Sequence, residues 1–577
     1  MEWLAGSRIA LTPRPAERRE SALDVAMLGH CPGRVRLERL IRLSGALDEM
    51  RAIGYGDTVD RLLLIDAMDS LLMTEYVNKI LLGDIVDGSL LVSGLKQWLS
   101  GKVSDDEISA GVNELLDENL VEKSKLIEAV HRFVDNLVSG EYRALYHLPI
   151  PLYSSAEFYD IFPDAVDTPA EYISVLAGNR AWLGFAVDDF FANGGEKLWV
   201  VRIPQNETQA GFLPKAETRL HDITSLQGLA CVLVIPSLGV VSFPDLERLQ
   251  IPAQLPDIPR KRLENAVPQF LPCTMNMDDG HRERRYGGYG ELGQMPDPIP
   301  FENVLRSLLQ FVTRYRPDVQ CLLTLPLSYS DTLESPELDP VAQATLADFK
   351  QSKHNAQALR HIQFLFPYLR GPRFALHTPV GLIAGQQVAV TRRYGPWRSI
   401  AERPLNCDAM PYPSLSRTQT VALRENPGVS LIKPRKLYDG KIQLGLDDER
   451  LVVPALPAAD YPVDRQRYDG FRSAEVMRFL GFLRRQLQAL GDQLVFNIDY
   501  RDPRPRLLLE QLLRRLHARG ALRGALPEQA FSIAESQPQE GAVVYEIMLA
   551  PAFPIDRLFL TFTNLNGEWR TAIPGVS

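Results

Sequence analysis

Gly288, Gly290 and Gly293 have the G-x-G-x-x-G spacing that lets a backbone close on a dinucleotide pyrophosphate. That chemistry needs a strand delivering the loop onto a helix N-terminus. Here the charged run His281 to Arg285 precedes the glycines, and Pro296 and Pro298 interrupt any helix after them. The segment reads as a loop. His281-Arg282-Glu283 resembles the opening of a zinc-deaminase signature, but no P-C-x-x-C follows. Asp278-Asp279 and Asp447-Asp448-Glu449 are acidic enough to attract a cation. They lack a spaced set of further oxygen ligands and are expected as turn residues. Cys31, Cys231, Cys273, Cys321 and Cys407 lie far apart and contain no C-x-x-C pair, so buried free thiols are expected rather than disulfides or structural zinc. There is no Walker A lysine motif, no G-x-S-x-G elbow and no H-E-x-x-H, and nine scattered histidines show no ligand spacing. No catalytic residue, cofactor site or metal site is expected, and no enzyme.

One charge cluster points to binding instead. Seven arginines and two acids lie between Arg501 and Arg523, in a chain whose net charge is −9. Arg506, Arg514, Arg515 and Arg519 fall away from the Leu509/Leu512/Leu516 stripe of one helix. They make either a solvated face, with Glu510 and Arg514 paired at i,i+4, or a docking surface for an acidic partner. The overall negative charge gives no general attraction to nucleic acid or anionic membrane, so neither is expected as a partner. Residues 101–130 carry eight acids and three lysines, a small solvated helical patch of opposite sign.

The elements that must position these residues are numerous and short. The 577 residues are 45% hydrophobic and 23% charged, which excludes a disordered or collagen-like chain. Forty-two prolines beside 39 glycines imply many firm stops. The N-terminus lacks a basic and apolar secretory leader, and the most apolar stretch, Cys231 to Val241, is about half a membrane span with Pro236 inside it. A soluble protein of a reducing cytosol is expected.

Ser7 to Thr12 alternates as a strand with no local hairpin partner, and Asp24 to Gly29 is a second strand. Helices are expected over 56–146, at Arg61–Leu64, Val77–Leu82, Ile108–Leu120 and Ile127–Val138. A helix around Trp182 to Phe190 stops at Asn193-Gly194-Gly195, followed by strand Leu198–Ile203. Then come strand Leu229–Ile235, helix Phe301–Tyr315, strand Gln320–Leu327, helix Val341–Ser352 and strand Ile362–Leu369. This β-α-β rhythm predicts an α/β layer with partly parallel pairing. Residues 244–300 read as a Pro/Gly-rich loop, and 396–462 as a Pro-rich stretch. Ser473 caps a helix lined by Val476, Leu480, Leu483, Leu487 and Leu490, and Gln493–Ile498 is a strand. A Pro505-initiated helix ends at Gly520, and strands Val543–Leu549 and Arg557–Thr563 close a compact α+β domain.

The order and wording of these elements resemble the contractile tail sheath family of phages, R-type bacteriocins and related injection systems. Arg472 to Leu480 takes the place of that family's first C-terminal helix, and Asp492-Gln493-Leu494-Val495-Phe496 is similar to its "W-x-V-F-E-P-N" strand. Leu508 to Leu522, with Arg523-Gly524-Ala525-Leu526-Pro527-Glu528-Gln529-Ala530-Phe531, resembles "f-L-x-x-L-w-x-x-G-A-L-x-G-x-x-x-E-x-A-F". Leu549 to Leu560 resembles the closing "A-P-x-x-P-A-E-x-I-x-L". Upstream, Leu183 to Arg202, Ile362 to Tyr368, Thr378 to Gly385, Tyr394 to Trp397 and Asn426 to Val429 match in the same order. The family's "G-I-R-V-W-G-A-R-T-L" is degraded at Lys441 to Leu451, and "F-E-P-N" has become Phe496-Asn497-Ile498-Asp499.

The resemblance implies an α+β multidomain fold: an α/β layered N-terminal and middle region, a compact α+β C-terminal sheath domain, and a helical insertion. The expected division is a strand arm at 1–22, a first α/β part at 23–55 and 147–243, and the insertion at 56–146. An elaboration at 244–300, a second α/β part at 301–395 and a connector at 396–465 follow, then the C-terminal domain at 466–556 and a second arm at 557–577. It also implies hexameric rings of this chain stacked into a helical tube around an inner tube protein, with baseplate and tail terminator proteins at its ends. Such a particle is a virion tail or injection machine assembled in the bacterial cytoplasm, whose sheath drives the tube forward on contraction. The alternative is a non-contracting adaptor joining tube to baseplate. Ile9, Leu11, Leu558, Leu560 and Phe562 are the residues implied for strand exchange between subunits, and Arg506, Arg514, Arg515 and Arg519 those implied for inner-tube contact.

Overall fold

Five strands buried along their whole length form the centre of this molecule, as strands of a sheet covered on both faces must be. The computed structural model describes residues 23–72, 141–214, 222–253, 298–329, 336–371, 376–425, 427–436, 442–454, 470–494, 502–539, 542–552, 558–565 and 568–572, with short pieces elsewhere. The strands are β1 (Asp24–His30), β2 (Pro149–Leu152), β3 (Leu198–Ile203), β4 (Leu238–Ser242), β5 (Gln320–Thr324) and β6 (Ile362–Phe366). They continue with β7 (Tyr368–Arg370), β8 (Leu376–His377), β9 (Pro404–Leu405), β10 (Met410–Tyr412), β11 (Ser430–Lys436) and β12 (Ile442–Leu446).

Nine of them form one sheet in the order β9-β12-β11-β6-β5-β4-β1-β3-β2. The six strands from β11 to β3 run parallel, with Ile362 opposite Cys321 and Val25 opposite Leu198. Antiparallel strands close both sides: β2 on β3, and β12 then β9 beyond β11. A smaller sheet of β8, β7 and β10 adjoins it.

The two faces follow from the period-two alternation of side chains. Ala26 and Leu28 of β1 enter one apolar cluster, while Val25 and Met27 enter the other. The helices that cover them include α1 (Gly56–Leu72), α2 (Leu183–Ala192), α3 (Leu229–Leu233), α4 (Pro244–Arg248), α5 (Phe301–Tyr315), α6 (Pro340–Gln351) and α7 (Val380–Tyr394). Helix α5 turns Val304, Leu305 and Leu308 to the first cluster; α2 and α7 turn Ala186, Phe190, Leu382 and Ile383 to the second. Helices α2 and α7 touch backbone to backbone. A Cβ on Gly381 would stand 2.2 Å from the Ala186 carbonyl oxygen, and one on Gly385 2.3 Å from that of Phe190.

The C-terminal unit has its own core. Helices α8 (Ala474–Leu494) and α9 (Arg504–Ala518) pack on a four-stranded antiparallel sheet of β13 (Phe531–Gln539), β14 (Ala542–Leu549), β15 (Leu558–Leu565) and β16 (Glu568–Ala572). Phe479, Leu483 and Leu487 meet Leu509, Leu513, Tyr545, Ile547, Leu560 and Phe562 there. Gly520, at φ 76°, ends α9 in the left-handed region where glycine is tolerated best.

Four expectations need correction. Leu229–Leu233, expected as a strand, is helical, and the strand follows it at β4. Both runs are short and apolar, where periodicity does not distinguish the two. The start of the 244–300 loop is helix α4, with Asp245, Glu247 and Arg248 wholly buried. Leu81–Leu82 is half of a short hairpin with Ile85–Val86, not helix. Gln493 and Leu494 belong to the end of α8, not to a strand. The proline count of 396–462 hid β9 to β12, and the β13 and β16 strands were also missed. Ile9, Leu11 and the Ser7–Thr12 strand lie outside the described residues, as do Asp278-Asp279, His281-Arg282-Glu283 and Gly288–Gly293.

Candidate assembly interface

Where charged side chains are buried in this molecule, they tie elements together. Asp245 of α4 accepts the amides of His30, Trp182 and Leu183 and the Arg248 guanidinium, at 2.9, 2.9, 3.1 and 2.9 Å. Arg248 reaches on to the Tyr172 carbonyl. One acid thereby fixes the end of β1, the start of α2 and its own helix. Burial drops the His30 imidazole to about 4, so it sits there neutral. Burial also lifts Glu247 to about 8, against the hydrogen bonds it receives from Thr378 and Thr324.

The acidic triplet at 447–449 pairs with arginines and a lysine. Asp447 pairs with Lys433 and Arg424, and Asp448 with Arg450. Burial pushes the Asp447 carboxyl up, but Lys433 and then Arg424 outweigh it and hold it below the usual range. Glu449 and Arg478, 1% and 2% exposed, are joined at 2.6 and 3.1 Å. Glu449 also accepts the Ile400 amide and the Gln387 side chain of α7. This pair fastens α8, and with it the C-terminal unit, to the layered region. Arg484 and Arg485 add bonds to the Pro317 and Asp318 carbonyls, and a cleft of about 720 Å³ runs beside them, with Lys197, Arg316 and Asp492 on its walls.

The two sheets differ at their edges. Outer strand β2 carries Pro149 and Pro151, so only Ile150 and Leu152 have amides for the ladder and the outward donors are missing. The opposite outer strand, β9, is two residues long and begins with Pro404. In the C-terminal sheet, β13 and β16 are the outer strands; β16 has no proline, and β13 has only Pro538 near its end. Both outer strands of that sheet have amides with which to take up another strand.

The residues expected to exchange strands stand inside this sheet. Leu558 opens β15 opposite Leu549, and β15 is paired on both sides, with β14 and β16. Leu560 and Phe562 are buried in the chain's own core, and the Phe562 ring stacks on Trp569 at 4.5 Å. All four arginines are exposed, three of them on α9 and Arg519 just past its end. Arg514 pairs with Glu510 at 2.7 Å. Arg506 and Arg514 border a groove of about 180 Å³ between α9 and β13, whose other walls include Glu528, Phe531 and Ile533. Arg519 turns elsewhere, with its guanidinium carbon 5.9 Å from the Trp397 ring centre. The groove was legible only in the alternation of Phe531 and Ile533 with Ser532 and Ala534, a weak signal beside the helix motif.

No helix among the described residues is long and apolar enough to cross a membrane. No family model matches the chain, and no curated protein does. Among solved structures, one chain of the anti-feeding prophage baseplate, 6-fold symmetrised, is similar at 15% identity and TM-score 0.41, over 71% of this chain and 86% of that one. A chain of the PVC sheath complex of an extracellular contractile injection system, in its contracted state, is similar at 13% identity and TM-score 0.39, over 71% and 86%. The sheath tail protein of Desulfitobacterium hafniense is similar at 13% identity and TM-score 0.30, over 47% and 62%.

Proposed function

We propose that this chain is the structural subunit of a contractile tail sheath, stacking as rings into a helical tube around an inner tube and driving it forward on contraction. One observation carries this reading. The sequence motifs at 472–480 and 508–531, with Leu549–Ala552 and Leu558–Leu560 of the third, fall on one unit whose four-stranded sheet has β13 and β16 as its outer strands among the described residues, while both outer strands of the large sheet carry proline.

A strand from a neighbouring copy would add at the outer side of β13 or β16 by backbone hydrogen bonding. Repetition of such a contact without closure generates a helical tube. The arms at 1–22 and 557–577 are the strand donors in this reading; β15 would then exchange its place between copies rather than add to a vacant one. The Arg506/Arg514 groove faces the inner tube protein, and baseplate and terminator proteins bound the tube's ends. Contraction is a switch between two packings of rigid bodies, with the paired strands as hinges.

Negative-stain microscopy of the purified full chain tests this. Long tubes are expected. Protein that stays monomeric at high concentration, alone and with a tube protein, would refute it.

A further inference from the structure

Asp189, His377 and Cys407 come from three separate elements, and their ligand atoms lie within 4.8 Å of one another. Asp189 sits near the end of α2, His377 closes β8, and Cys407 is in the loop between β9 and β10. We propose that they form a binding site for one divalent transition-metal ion of zinc-like preference, with solvent as fourth ligand.

Carboxylate, imidazole and thiolate together are a donor set for zinc, and calcium or magnesium would take oxygen alone. The spacing agrees. The Asp189 Oδ2 to His377 Nε2 distance is 3.4 Å, too long for a good hydrogen bond. It matches the edge of a tetrahedron with metal–oxygen and metal–nitrogen bonds of about 2.0–2.2 Å, which is roughly 3.4 Å. Asp189 Oδ2 is buried with no partner but this long contact to His377 Nε2, and His377 is 6% exposed. Groups left so usually await a partner.

The surroundings are arranged for an ion. The Ala409 amide points at the Cys407 sulfur from 3.3 Å, which favours the thiolate once its proton has left for solvent. Asn193 and Asn406 bond reciprocally, Nδ2 to carbonyl at 3.0 Å and amide to Oδ1 at 2.8 Å, pinning the cysteine loop to the end of α2. The Phe185 ring lies on the His377 imidazole at 5.3 Å and 27°, fixing its plane. An ion here would staple α2, β8 and the loop that passes from the large sheet to the small one. Its ligands stand 188 and 30 positions apart, so no sequence spacing announces it.

The test is titration of the reduced, chelator-treated full chain with Co2+, followed by Zn2+. One Co2+ per chain is expected, with a thiolate charge-transfer band in the near ultraviolet and tetrahedral ligand-field bands, all displaced by one equivalent of Zn2+. Cys407→Ser should abolish the charge-transfer band and weaken Zn2+ binding by about 100-fold, and Asp189→Asn should weaken it by about 10- to 100-fold, the scale of a lost site contact. Circular dichroism checks that each variant folds. Zinc K-edge absorption on the loaded unmutated chain needs no variant: one sulfur and three nitrogen or oxygen neighbours are expected. Absence of a stoichiometric Co2+ band, a band that survives Cys407→Ser, or a zinc shell without sulfur would overturn the proposal.

Discussion

Pro149 and Pro151 stand on one outer strand of the nine-stranded sheet and Pro404 opens the other, while β16 has none and β13 one near its end. The same contrast runs through the charges. In the layered region Asp245, Glu247 and Arg248 are wholly buried; on α9 and at its end Arg506, Arg514, Arg515 and Arg519 are exposed. One region turns its polar groups inward and denies its edges to other chains. The other keeps an apolar core, has outer strands that retain nearly all their amides, and turns its arginines outward. That is the division expected between a rigid body and a connector. The Glu449–Arg478 pair joins the two.

The largest test of the contrast compares a hidden charge with a shown one. Arg478→Ala leaves Glu449 buried without its partner and should cost about 3–5 kcal/mol, read from urea unfolding of the full chain. Arg514→Ala removes an exposed i,i+4 pair and should cost less than about 0.5 kcal/mol. Equal costs would break the comparison at its root.

The second test is pH. Glu247 has an unfolded value near 4.5 and is lifted to about 8 in the folded chain by burial. The folded state therefore keeps a proton that the unfolded state has released. Its stabilisation is complete below about pH 4.5 and is lost as pH rises toward 8, with a slope of at most about 1.4 kcal/mol per pH unit. Half-buried Glu475, also lifted to about 8 by burial and then by Glu449, adds the same sign. His30 and His361, lowered to about 4 by burial, act below pH 6.5 and leave the window above it clear. Glu247→Gln should flatten the fall between pH 6.5 and 8 in thermal melts; an unchanged slope would separate the buried acid from the stability of the layer.

Which of these features the sequence announced follows from physics. Helices Phe301–Tyr315 and Arg504–Ala518 were legible because an apolar stripe, and in the second a proline start, say the same thing. The Leu229–Leu233 helix and the β4 strand were not, because two short apolar runs carry no period. Helix α4 was hidden because Pro-Asp-Leu-Glu-Arg reads as a solvated turn; its charges are buried only because His30, Trp182 and Thr324, far away in sequence, supply their partners. At the C-terminal surface the arginines were visible in the sequence, but the groove they border depends on β13, and the Asp189, His377 and Cys407 cluster exists only in three dimensions.

A third test exchanges the edges. Pro149→Val with Pro151→Val restores the missing donors on β2 and should change stability by about 1 kcal/mol or less, since the prolines face away from the ladder. It should also create concentration-dependent association in sedimentation velocity. Prolines placed at alternating positions of 532–535 do the reverse: one of the two alternating sets spares the internal ladder and should abolish tubes while the melting temperature holds. Tubes surviving both sets would remove β13 from assembly.

The smallest effect on folding belongs to the arginines, and that is what makes them informative. Arg506→Glu with Arg514→Glu changes two exposed side chains, and Glu510 then faces a like charge at i,i+4. The cost to unfolding should stay within about 1 kcal/mol. Under the proposed sheath role, co-sedimentation with an inner tube protein should nonetheless fall, and the loss should shrink as salt rises, because exposed charges interact over a Debye length of about 10 Å at 0.1 M. Arg519→Glu is the internal control. Its guanidinium lies beside Trp397 rather than in the groove, so the variant should alter docking less than the pair does. If Arg519→Glu weakens docking as much as Arg506→Glu with Arg514→Glu, the contact is a diffuse field of the whole helix, and the groove beside β13 has no special part in it.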